Sequence, residues 1–495
     1  MLNKNLKYFV LLIILFLSSN SAGQINHTIQ LHPDNTHYLL YNNKPTVLIT
    51  SGEHYGAVLN LDFDYKKYLE TMNADGMNYT RIFTGSYVEI PGSFGISNNT
   101  LAPEVGKFLS PYKRADEKGL YKGEHKFDIS EWDEKYFNRL HDFISLAEEL
   151  NIVVEVTFFS SNYEDSNWER NPYNPENNIN SLDENLNRRK VNTLENGNLI
   201  RFQKELVKKI VEELNNYGNV IYEIQNEPWA DNAVKVMRIL KTHEPQSASG
   251  DWFKWVETAS TISIDWQKKM TEIIIETEDN LPYKHLLAQN FTNFKYAVET
   301  VDSNISIMNF HYAWPEAVLQ NYGWEKVIGF DESGFSGCSD TAYLKQAWQF
   351  ILSGGAIFNN LDYSFFVDKE DGTGVNKATG GGSPKLRKQL KYLREFIESF
   401  DFIKMSPDFN IVYHSPGVEW NAISEEGKQY AIILNGNKTE WIKLNLPMGT
   451  YHYQILNPFE GEIIQTAYLE VNSDEKVKIN LPEFEKLLSI KITEK

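Results

Sequence analysis

The triplet Asn226-Glu227-Pro228 places a carboxylic acid directly after the apolar run Val-Ile-Tyr-Glu-Ile-Gln, which begins at residue 220. Such a run is typical of a parallel strand that is buried on both faces. Pro228 ends the strand, because proline has no N–H to donate to a sheet. Glu227 is therefore held at a strand end, where desolvation can raise its pKa to suit a general acid. The alternative is a carboxylate that caps a helix or lies in a solvated loop.

A second carboxylate follows the same pattern 105 residues later, where the apolar segment 327–330 runs into Asp331-Glu332. At roughly 35 residues per strand–helix unit, this is three units further along, from a fourth strand to a seventh. Because neighbours on a strand point to opposite sides, we expect only one of Asp331 and Glu332 to face a cleft, and we select Glu332. Two carboxylates about 5 Å apart can serve as acid/base and nucleophile in a glycosidic cleavage that retains configuration.

The elements that would position these acids are eight strand-like segments that alternate with amphipathic helical segments. This alternation predicts a (β/α)8 TIM barrel, with a doubly wound open sheet as the alternative. The predicted strands are 47–50, 79–83, 153–158, 220–225, 286–289, 305–310, 327–330 and 356–359. The predicted helices are 65–72, 133–150, 199–217, 261–277, 342–352 and 384–400, with weaker signals at 294–301 and 315–322.

The remaining segments frame the barrel. A hairpin is expected over residues 28–41, and two long polar connections, 84–130 and 160–197, are expected to wall a cleft at the carboxyl ends of the strands. After residue 402, short alternating segments separated by turns predict a small antiparallel β-sandwich. We divide the chain into a signal peptide (1–23), a catalytic barrel that includes the hairpin (24–403) and an accessory β-sandwich (404–495).

The amino-terminal segment has the pattern of a signal peptide. Lys4 and Lys7 precede the apolar residues 9–17, and small or polar residues follow at 18–23. We expect an exported protein, secreted or periplasmic, with no transmembrane segment once the signal is removed. A retained membrane anchor is the alternative.

Composition excludes some classes of partner. The net charge of −19, from 48 basic and 67 acidic residues, argues against nucleic acid and against an anionic membrane surface. An aromatic share of 13% suits a cleft in which flat rings stack on sugars. The single cysteine, Cys338, excludes an intramolecular disulfide, and we expect it to be a packed thiol rather than a nucleophile.

Motifs for metals and cofactors are missing from the sequence. There is no His-Glu-x-x-His, no paired cysteine spacing and no EF-hand pattern. The glycines of 372–374 and 380–382 follow neither the dinucleotide nor the P-loop pattern, and no Gly-x-Ser-x-Gly motif is present. We therefore predict no metal and no cofactor.

Asn226-Glu227-Pro228 on strand four together with Glu332 on strand seven resembles clan A of the glycoside hydrolases. These are retaining TIM-barrel enzymes that include the cellulases and mannanases of family 5, and the resemblance covers roughly residues 30–400. It implies that Glu227 is the general acid/base, that Glu332 is the nucleophile, and that Asn226 binds the sugar 2-hydroxyl. Arg81, inside the second strand, matches the arginine that braces the nucleophile. The roles require a neutral Glu227 and an ionised Glu332.

The resemblance also extends to His311 and Tyr312, which match the histidine and tyrosine at the rim of such barrels. The family commonly separates these two residues by one position, whereas here they are adjacent, so we expect only one to point inward. Strand three ends without the usual histidine, and strand eight lacks the usual sugar-stacking tryptophan, which indicates a divergent branch.

Four further residues are candidate sugar contacts because they follow predicted strands at the rim. Packing within loops or within the core is the alternative for each of them. They are His54, Tyr55, Trp229 and Trp314.

The sequence thus predicts a retaining glycoside hydrolase that cleaves β-linkages in a polysaccharide or oligosaccharide by double displacement. A neutral β-glucan or a related glycan is the favoured substrate. Two alternatives remain open: a transglycosylase that uses the same site, and a non-catalytic carbohydrate-binding protein.

Overall fold

The computed structural model describes residues 28–238, 255–473 and 475–495. The predicted signal peptide lies outside these residues. In the described part of the chain, no helix is both long enough and apolar enough to cross a membrane.

Eight parallel strands form a barrel, as the sequence predicted, and chain neighbours are also spatial neighbours in the order β1-β8-β7-β6-β5-β4-β3-β2. Every residue of these strands is buried except Phe291, because helices cover the outer face. The strands are β1 (Leu48–Gly52), β2 (Tyr79–Phe83), β3 (Val153–Ser160), β4 (Val220–Asn226), β5 (Leu286–Asn293), β6 (Ile307–His311), β7 (Val327–Ser333) and β8 (Ile357–Leu361).

The seam between β1 and β2 is closed by a side chain. No backbone ladder joins these two strands among the described residues. Instead, the Asn78 amide donates to the Val47 carbonyl at 2.8 Å and accepts from the Ile49 N–H at 2.9 Å. One asparagine thus satisfies backbone groups that a ladder would otherwise pair.

The helices that return the chain between strands agree with the predicted ones to within a few residues. Their apolar stripes face the barrel, and in one of them Leu206, Ile210 and Leu214 are all buried. The weak helix signal at 294–301 was wrong, because that segment has no helical residue. The helices are α1 (Tyr65–Ala74), α2 (Glu134–Glu149), α3 (Leu199–Leu214), α4 (Thr261–Glu278), α5 (Pro315–Asn321), α6 (Asp340–Ile351) and α7 (Pro384–Glu398).

A three-stranded antiparallel sheet closes the amino end of the barrel. The N–H of Ile29 donates to the carbonyl of Gly218, which precedes β4, at 2.8 Å. The ring of His37 stacks on Tyr322, with centroids 3.7 Å apart. The strands of this sheet are Gln30–His32, Asn35–Tyr41 and Lys44–Thr46.

The carboxyl end carries the two long connections. The first contains an antiparallel pair of strands, Tyr112–Lys118 and His125–Trp132, and the second contains a short helix, Asp165–Trp168. A further antiparallel pair, Ala233–Arg238 with Trp255–Ala259, follows β4.

The carboxyl-terminal part is an antiparallel β-sandwich, as predicted, with its own buried core that includes Ile432, Ile442 and Ile455. The sandwich contacts the barrel through Asn421, which bonds to Ser353 just after α6. Its strands are β9 (Ser406–Pro407), β10 (Val412–His414), β11 (Val418–Glu425), β12 (Gln429–Asn437), β13 (Trp441–Leu444), β14 (Gly449–Asn457), β15 (Glu462–Val471), β16 (Val477–Asn480) and β17 (Glu485–Glu494). One sheet has the order β9-β11-β12-β17-β14-β15 and the other the order β10-β13-β16.

Candidate active site

Glu227 sits at the point where β4 stops. Its backbone has a φ of +47°, in the left-handed region, and Pro228 begins a one-turn helix directly after it. The N–H of Glu227 donates to the Asn290 side chain on β5 at 3.0 Å, which fixes this turn. A left-handed conformation costs a non-glycine residue about 1 kcal/mol, so such residues are concentrated at functional sites.

Glu332 lies near the end of β7 and faces Glu227. A carboxylate oxygen of each residue and a ring nitrogen of His311 lie within 4.8 Å of one another. Both carboxylates are more than nine-tenths buried. Glu332 accepts hydrogen bonds from the hydroxyls of Tyr312 at 2.8 Å and Tyr55 at 3.2 Å. The two acids singled out from the sequence therefore share one cavity.

Asp331 and Glu332 do not point to opposite sides, contrary to our expectation. Both carboxylates lie 3.5 Å from the guanidinium of Arg81 inside the barrel. The reason is a break in the register between β7 and β8 at residues 330–333, which interrupts strict alternation. Glu332 lines the cavity, whereas Asp331 lies beneath it among buried side chains.

His311 and Tyr312 both point inward, so the expectation that only one would do so was wrong. His311 Nδ1 lies 2.9 Å from Glu227 Oε1, and the Tyr312 hydroxyl reaches Glu332. Tyr312 has a φ of +50°, and the register between β6 and β7 shifts at residues 309–311. This backbone turn brings two adjacent side chains onto the same pair of acids.

Arg81 occupies the barrel interior below the cavity and is fully buried. Its guanidinium donates to Glu223 and, at 2.9 Å, to the Asn226 side-chain oxygen. It also lies 4.8 Å from the centre of the Tyr55 ring. Arg81 thus contacts both Glu332 and Asn226.

Two acids of this interior cluster were missed by the sequence reasoning. Glu155 on β3 and Glu223 on β4 lie with Asp331 so that their carboxylate oxygens are within 4.8 Å of one another. Burial, with the charges of Glu223 and Asp331, raises the pKa of Glu155 well above its usual value. A glutamate in the middle of each apolar strand was the available signal, because an unpaired charge is not tolerated there.

The pKa shifts of the two cavity acids differ from our expectation. Burial raises the pKa of Glu332, and the nearby charge of Glu227 raises it further, against the opposing effects of His311 and Arg81. Burial would also raise the pKa of Glu227, but the hydrogen bond and the charge of His311 lower it. The two pKa shifts therefore run in opposite directions, upward for Glu332 and downward for Glu227.

The downward pKa shift of Glu227 comes from His311. Burial opposes its protonation, but the charges of Asp331 and Glu332 outweigh that effect and raise its pKa well above the usual value. An imidazolium here pairs with Glu227 through Nδ1 and lies 3.6 Å from Glu332 Oε2 through the same atom. The hydrogen bond of this nitrogen goes to Glu227, and Glu332 lies beyond hydrogen-bond distance but within reach of the charge.

The other predicted contacts separate into two groups. Asn226, His54 and Tyr55 line the cavity. Trp229 and Trp314 do not: the Trp229 ring packs edge-on against His311 at 5.4 Å, and the Trp314 ring lies against Phe294 and beneath the ammonium of Lys295.

Nine residues that line the cavity were not predicted, and five of them lie in the long connections, where periodicity gives no signal. The Tyr163 hydroxyl donates to Glu227 Oε2 at 2.8 Å and accepts from the Asn226 amide at 2.8 Å. Cys338, expected to be a packed thiol, is exposed. The other unpredicted lining residues are Phe83, Tyr87, Glu89, Phe94, Leu101, Phe335, Leu361 and Tyr363.

Among the described residues, two buried triads of side chains have a spacing that could accommodate a metal ion. One is Glu227, His311 and Glu332, and the other is Glu155, Glu223 and Asp331. In each triad the protein already supplies positive charge, from His311 beside Glu227 and from Arg81 beside Glu223. The arrangement in the cavity, two carboxylates within 4.8 Å of each other and a proton-carrying imidazole between them, suits proton transfer combined with nucleophilic attack.

Solved structures of other proteins match the fold of almost the whole chain. A glycoside hydrolase family 5 protein of Bacteroides vulgatus ATCC 8482 matches at 10% identity, over 95% of this chain and 94% of its own, with a TM-score of 0.60. A second protein of that bacterium, described as a candidate glycoside hydrolase, matches at 14% identity, 96% and 83% coverage, and a TM-score of 0.64. A structure described as a glycoside hydrolase matches at 11% identity, 95% and 97% coverage, and a TM-score of 0.57.

These likenesses show a shared fold, and at this level the resemblance inferred from the sequence is confirmed. No family model and no curated protein matches the sequence. The chain therefore has the fold of the family 5 barrel with a strongly divergent sequence.

Proposed function

We propose that this protein is a retaining glycoside hydrolase that acts on a β-linked glycan, with a neutral β-glucan or a related glycan as the favoured substrate. The observation that carries the proposal is the approach of Glu227 and Glu332 to within 4.8 Å at the carboxyl end of the barrel. Retaining enzymes hold their two carboxyl groups about 5–5.5 Å apart, whereas inverting enzymes leave room for a water molecule between them.

In the proposed first step, Glu332 attacks the anomeric carbon while Glu227 protonates the departing oxygen. Glu332 then forms a glycosyl ester, and Glu227 removes a proton from the water that hydrolyses it. Arg81 and the hydroxyls of Tyr55 and Tyr312 stabilise the Glu332 carboxylate that is needed for attack.

The proton required by the acid can come from His311. Its Nδ1 lies 2.9 Å from Glu227 Oε1 and can donate a proton to that carboxylate, which Glu227 then passes to the departing oxygen. In the second step Glu227 takes a proton from the attacking water and can return it to His311, so this relay leaves the number of protons in the site unchanged.

Nucleophile rescue tests the assignment. Glu332→Ala should abolish turnover of an activated aryl β-glycoside, and azide should restore turnover with inversion at the anomeric carbon. Glu227→Ala should keep activity on activated substrates and yield the β-glycosyl azide instead. Glu149→Gln, on the exposed surface of α2, is the control and should match the wild type. Full activity of Glu332→Ala would refute the proposal.

The products of the same reactions separate the alternatives. A transglycosylase would transfer the sugar to a second carbohydrate and release little free sugar. A non-catalytic binding protein would retain glycans on an affinity gel without turnover by the wild type.

We also propose export, from the charge and hydropathy pattern of residues 1–23. Expression of the full chain with fractionation of the cells tests this. A processed protein outside the cytoplasm is expected, and an unprocessed cytoplasmic protein would refute it.

A further inference from the structure

The cavity above the two acids is a pocket with a closed side. Counted out to the open mouth, it encloses about 390 Å³ of space that protein atoms do not fill. Its walls come from residues after β1, β2, β3, β7 and β8, with Glu227 after β4 and Tyr312 after β6, whereas nothing after β5 lines it among the described residues. The residues after β8, β1 and β2 form the side of the pocket away from β4.

The closed side is held by hydrogen bonds between two distant loops. Asn376, after β8, accepts from the Ser97 hydroxyl at 2.6 Å and from the Asn98 N–H at 3.0 Å. Its own amide donates to the Asn98 carbonyl at 2.7 Å. The N–H of Ser97 also donates to the Lys377 carbonyl at 2.9 Å. We call these contacts the 97–377 bridge.

The bridge is continuous with the neighbouring walls. On one side, the N–H of Phe335, after β7, donates to the Thr379 carbonyl at 2.7 Å. On the other side, the Ser93 hydroxyl donates to Asn167, in the loop after β3, at 3.1 Å. The rim from β7 through β8, β1 and β2 to β3 is thus bonded from loop to loop.

The position of Glu227 indicates which end of a bound sugar faces this wall. In the proposed reaction Glu227 protonates the oxygen of the leaving group, so the leaving group lies on the side of β4. The far end of the sugar ring, which would carry any further non-reducing residues, then extends away from β4. That direction leads into the wall formed after β1, β2 and β8.

We propose that the enzyme is exo-acting: the pocket accepts one terminal sugar from the non-reducing end of a glycan and releases it as a monosaccharide. This inference rests on the proposed glycosidase function and adds its mode of action. The remainder of the glycan is the leaving group and lies on the side of Glu227.

The closed side also carries groups suited to recognising a chain end. Glu89 is buried and lines the pocket, and His54 Nε2 lies 3.5 Å from Glu89 Oε2, at the limit of a hydrogen bond. Both ring nitrogens of His54 are buried and lack a hydrogen-bond partner among the described residues. A sugar hydroxyl that contacts both side chains can pair with His54 Nε2 and with the Glu89 carboxylate, because a hydroxyl both donates and accepts.

The lining also indicates the charge of the sugar. None of the described lining residues is lysine or arginine, while three are glutamates. A uronic acid or a sulfated sugar would be buried without a cationic partner, at a high cost in free energy. The lining therefore disfavours an anionic terminal sugar.

The test compares aryl β-glycosides that differ only at the non-reducing end. The panel contains glucose, mannose, galactose and xylose glycosides, the disaccharide glycosides of each sugar, and versions blocked by a 4,6-O-ethylidene group where the sugar permits it. We expect release of the aryl group from single sugars, stepwise release of monosaccharide from disaccharides, and no turnover of blocked substrates. Direct release of an intact disaccharide, or turnover of blocked substrates, would overturn exo-action and leave the glycosidase function intact. Failure to cleave any glycoside would refute the glycosidase function itself.

Two variants test whether residues of the closed side determine which substrates are cleaved. Asn376→Ala removes three hydrogen bonds of the 97–377 bridge and should allow turnover of blocked substrates, while Asn280→Ala, an exposed asparagine after α4, should not. Glu89→Ala should lower kcat/KM for the single-sugar glycoside by about 10- to 100-fold, as loss of hydrogen bonds to a charged group does. If Asn376→Ala continues to reject blocked substrates although unblocked ones are still cleaved, the bridge does not set the mode of action. An unchanged kcat/KM for Glu89→Ala would remove Glu89 from sugar recognition.

Discussion

Two tyrosines offer a matched pair of perturbations that distinguishes the roles of the two acids. The Tyr163 hydroxyl donates to Glu227 Oε2 at 2.8 Å, and the Tyr55 hydroxyl donates to Glu332 Oε2 at 3.2 Å. Tyr163→Phe and Tyr55→Phe each delete one oxygen atom and keep the ring. Each variant therefore removes one hydrogen bond from one of the two carboxylates and none from the other.

The expected magnitude follows from the hydrogen bond that is lost. A hydrogen bond to a charged group contributes about 1.5–3 kcal/mol, which corresponds to about a 10- to 150-fold change in rate. In the proposed reaction, the Tyr163 bond stabilises the Glu227 carboxylate that remains after the proton has been donated, so its loss should matter only where the leaving group needs that proton. The Tyr55 bond contacts the proposed nucleophile, so its loss should slow attack on every substrate. Because the Tyr55 hydrogen bond is the longer of the two, we expect the rate loss of Tyr55→Phe to lie near the lower end of this range.

The assay is a series of aryl glycosides whose phenols span a wide range of pKa, with kcat/KM measured for the wild type and for both variants. Tyr163→Phe should approach the wild type on dinitrophenyl substrates and lose the full factor on poorly activated ones. Tyr55→Phe should lose a similar factor throughout the series. The opposite pattern would exchange the roles of Glu227 and Glu332, and a uniform loss in both variants would refute the assignment of a separate acid and nucleophile.

Three further predictions concern charge inside the barrel. His311→Phe should move the pH–activity profile to higher pH, because the positive charge that lowers the pKa of both Glu227 and Glu332 is lost; a profile that stays in place contradicts the proposed relay. Arg81→Met should lower the free energy of unfolding by about 3–5 kcal/mol in urea titrations, because it leaves Glu223 and Asp331 buried without their cation; a loss below about 1 kcal/mol would contradict this account. Burial raises the pKa of Glu53 from 4.5 to about 7. As the pH rises, the Glu53 carboxyl therefore loses its proton at a lower pH in the unfolded chain than in the folded protein. The stability of the wild type relative to Glu53→Gln should therefore fall as the pH rises from about 4.5 to about 7, and a rise over that interval in urea titrations would refute it.

The architecture could be predicted because each element repeats its pattern over many residues. The run 220–225 is apolar enough to identify a buried strand, and Pro228 marks its end. The spacing from Glu227 to Glu332 then places the second acid three units on. Strand ends were less predictable, because β5 continues four residues past its predicted end into polar residues that pair within the barrel.

The side-chain directions at the rim could not be predicted from alternation. Register shifts in β6 and β7 turn Asp331 and Glu332, and likewise His311 and Tyr312, toward the same interior. The pocket walls could not be predicted either, because Glu89 and Tyr163 lie in connections whose conformation depends on contacts with residues far along the chain. The lowered pKa of Glu227 was hidden for the same reason, because it depends on His311, whose position beside that acid no local pattern indicates.

The seam of the barrel has a consequence for the order in which the protein can assemble during synthesis. The strand β1 pairs with β8, and Ser51 bonds to Asp362, 311 positions later. A growing chain therefore completes β1 long before its partner exists, and an open strand edge invites pairing with other chains. Asn78 is made soon after β1 and occupies backbone groups at its start, so the first contact across the seam is local. The 97–377 bridge can form only after residue 377 has left the ribosome, when all eight barrel strands have been synthesised.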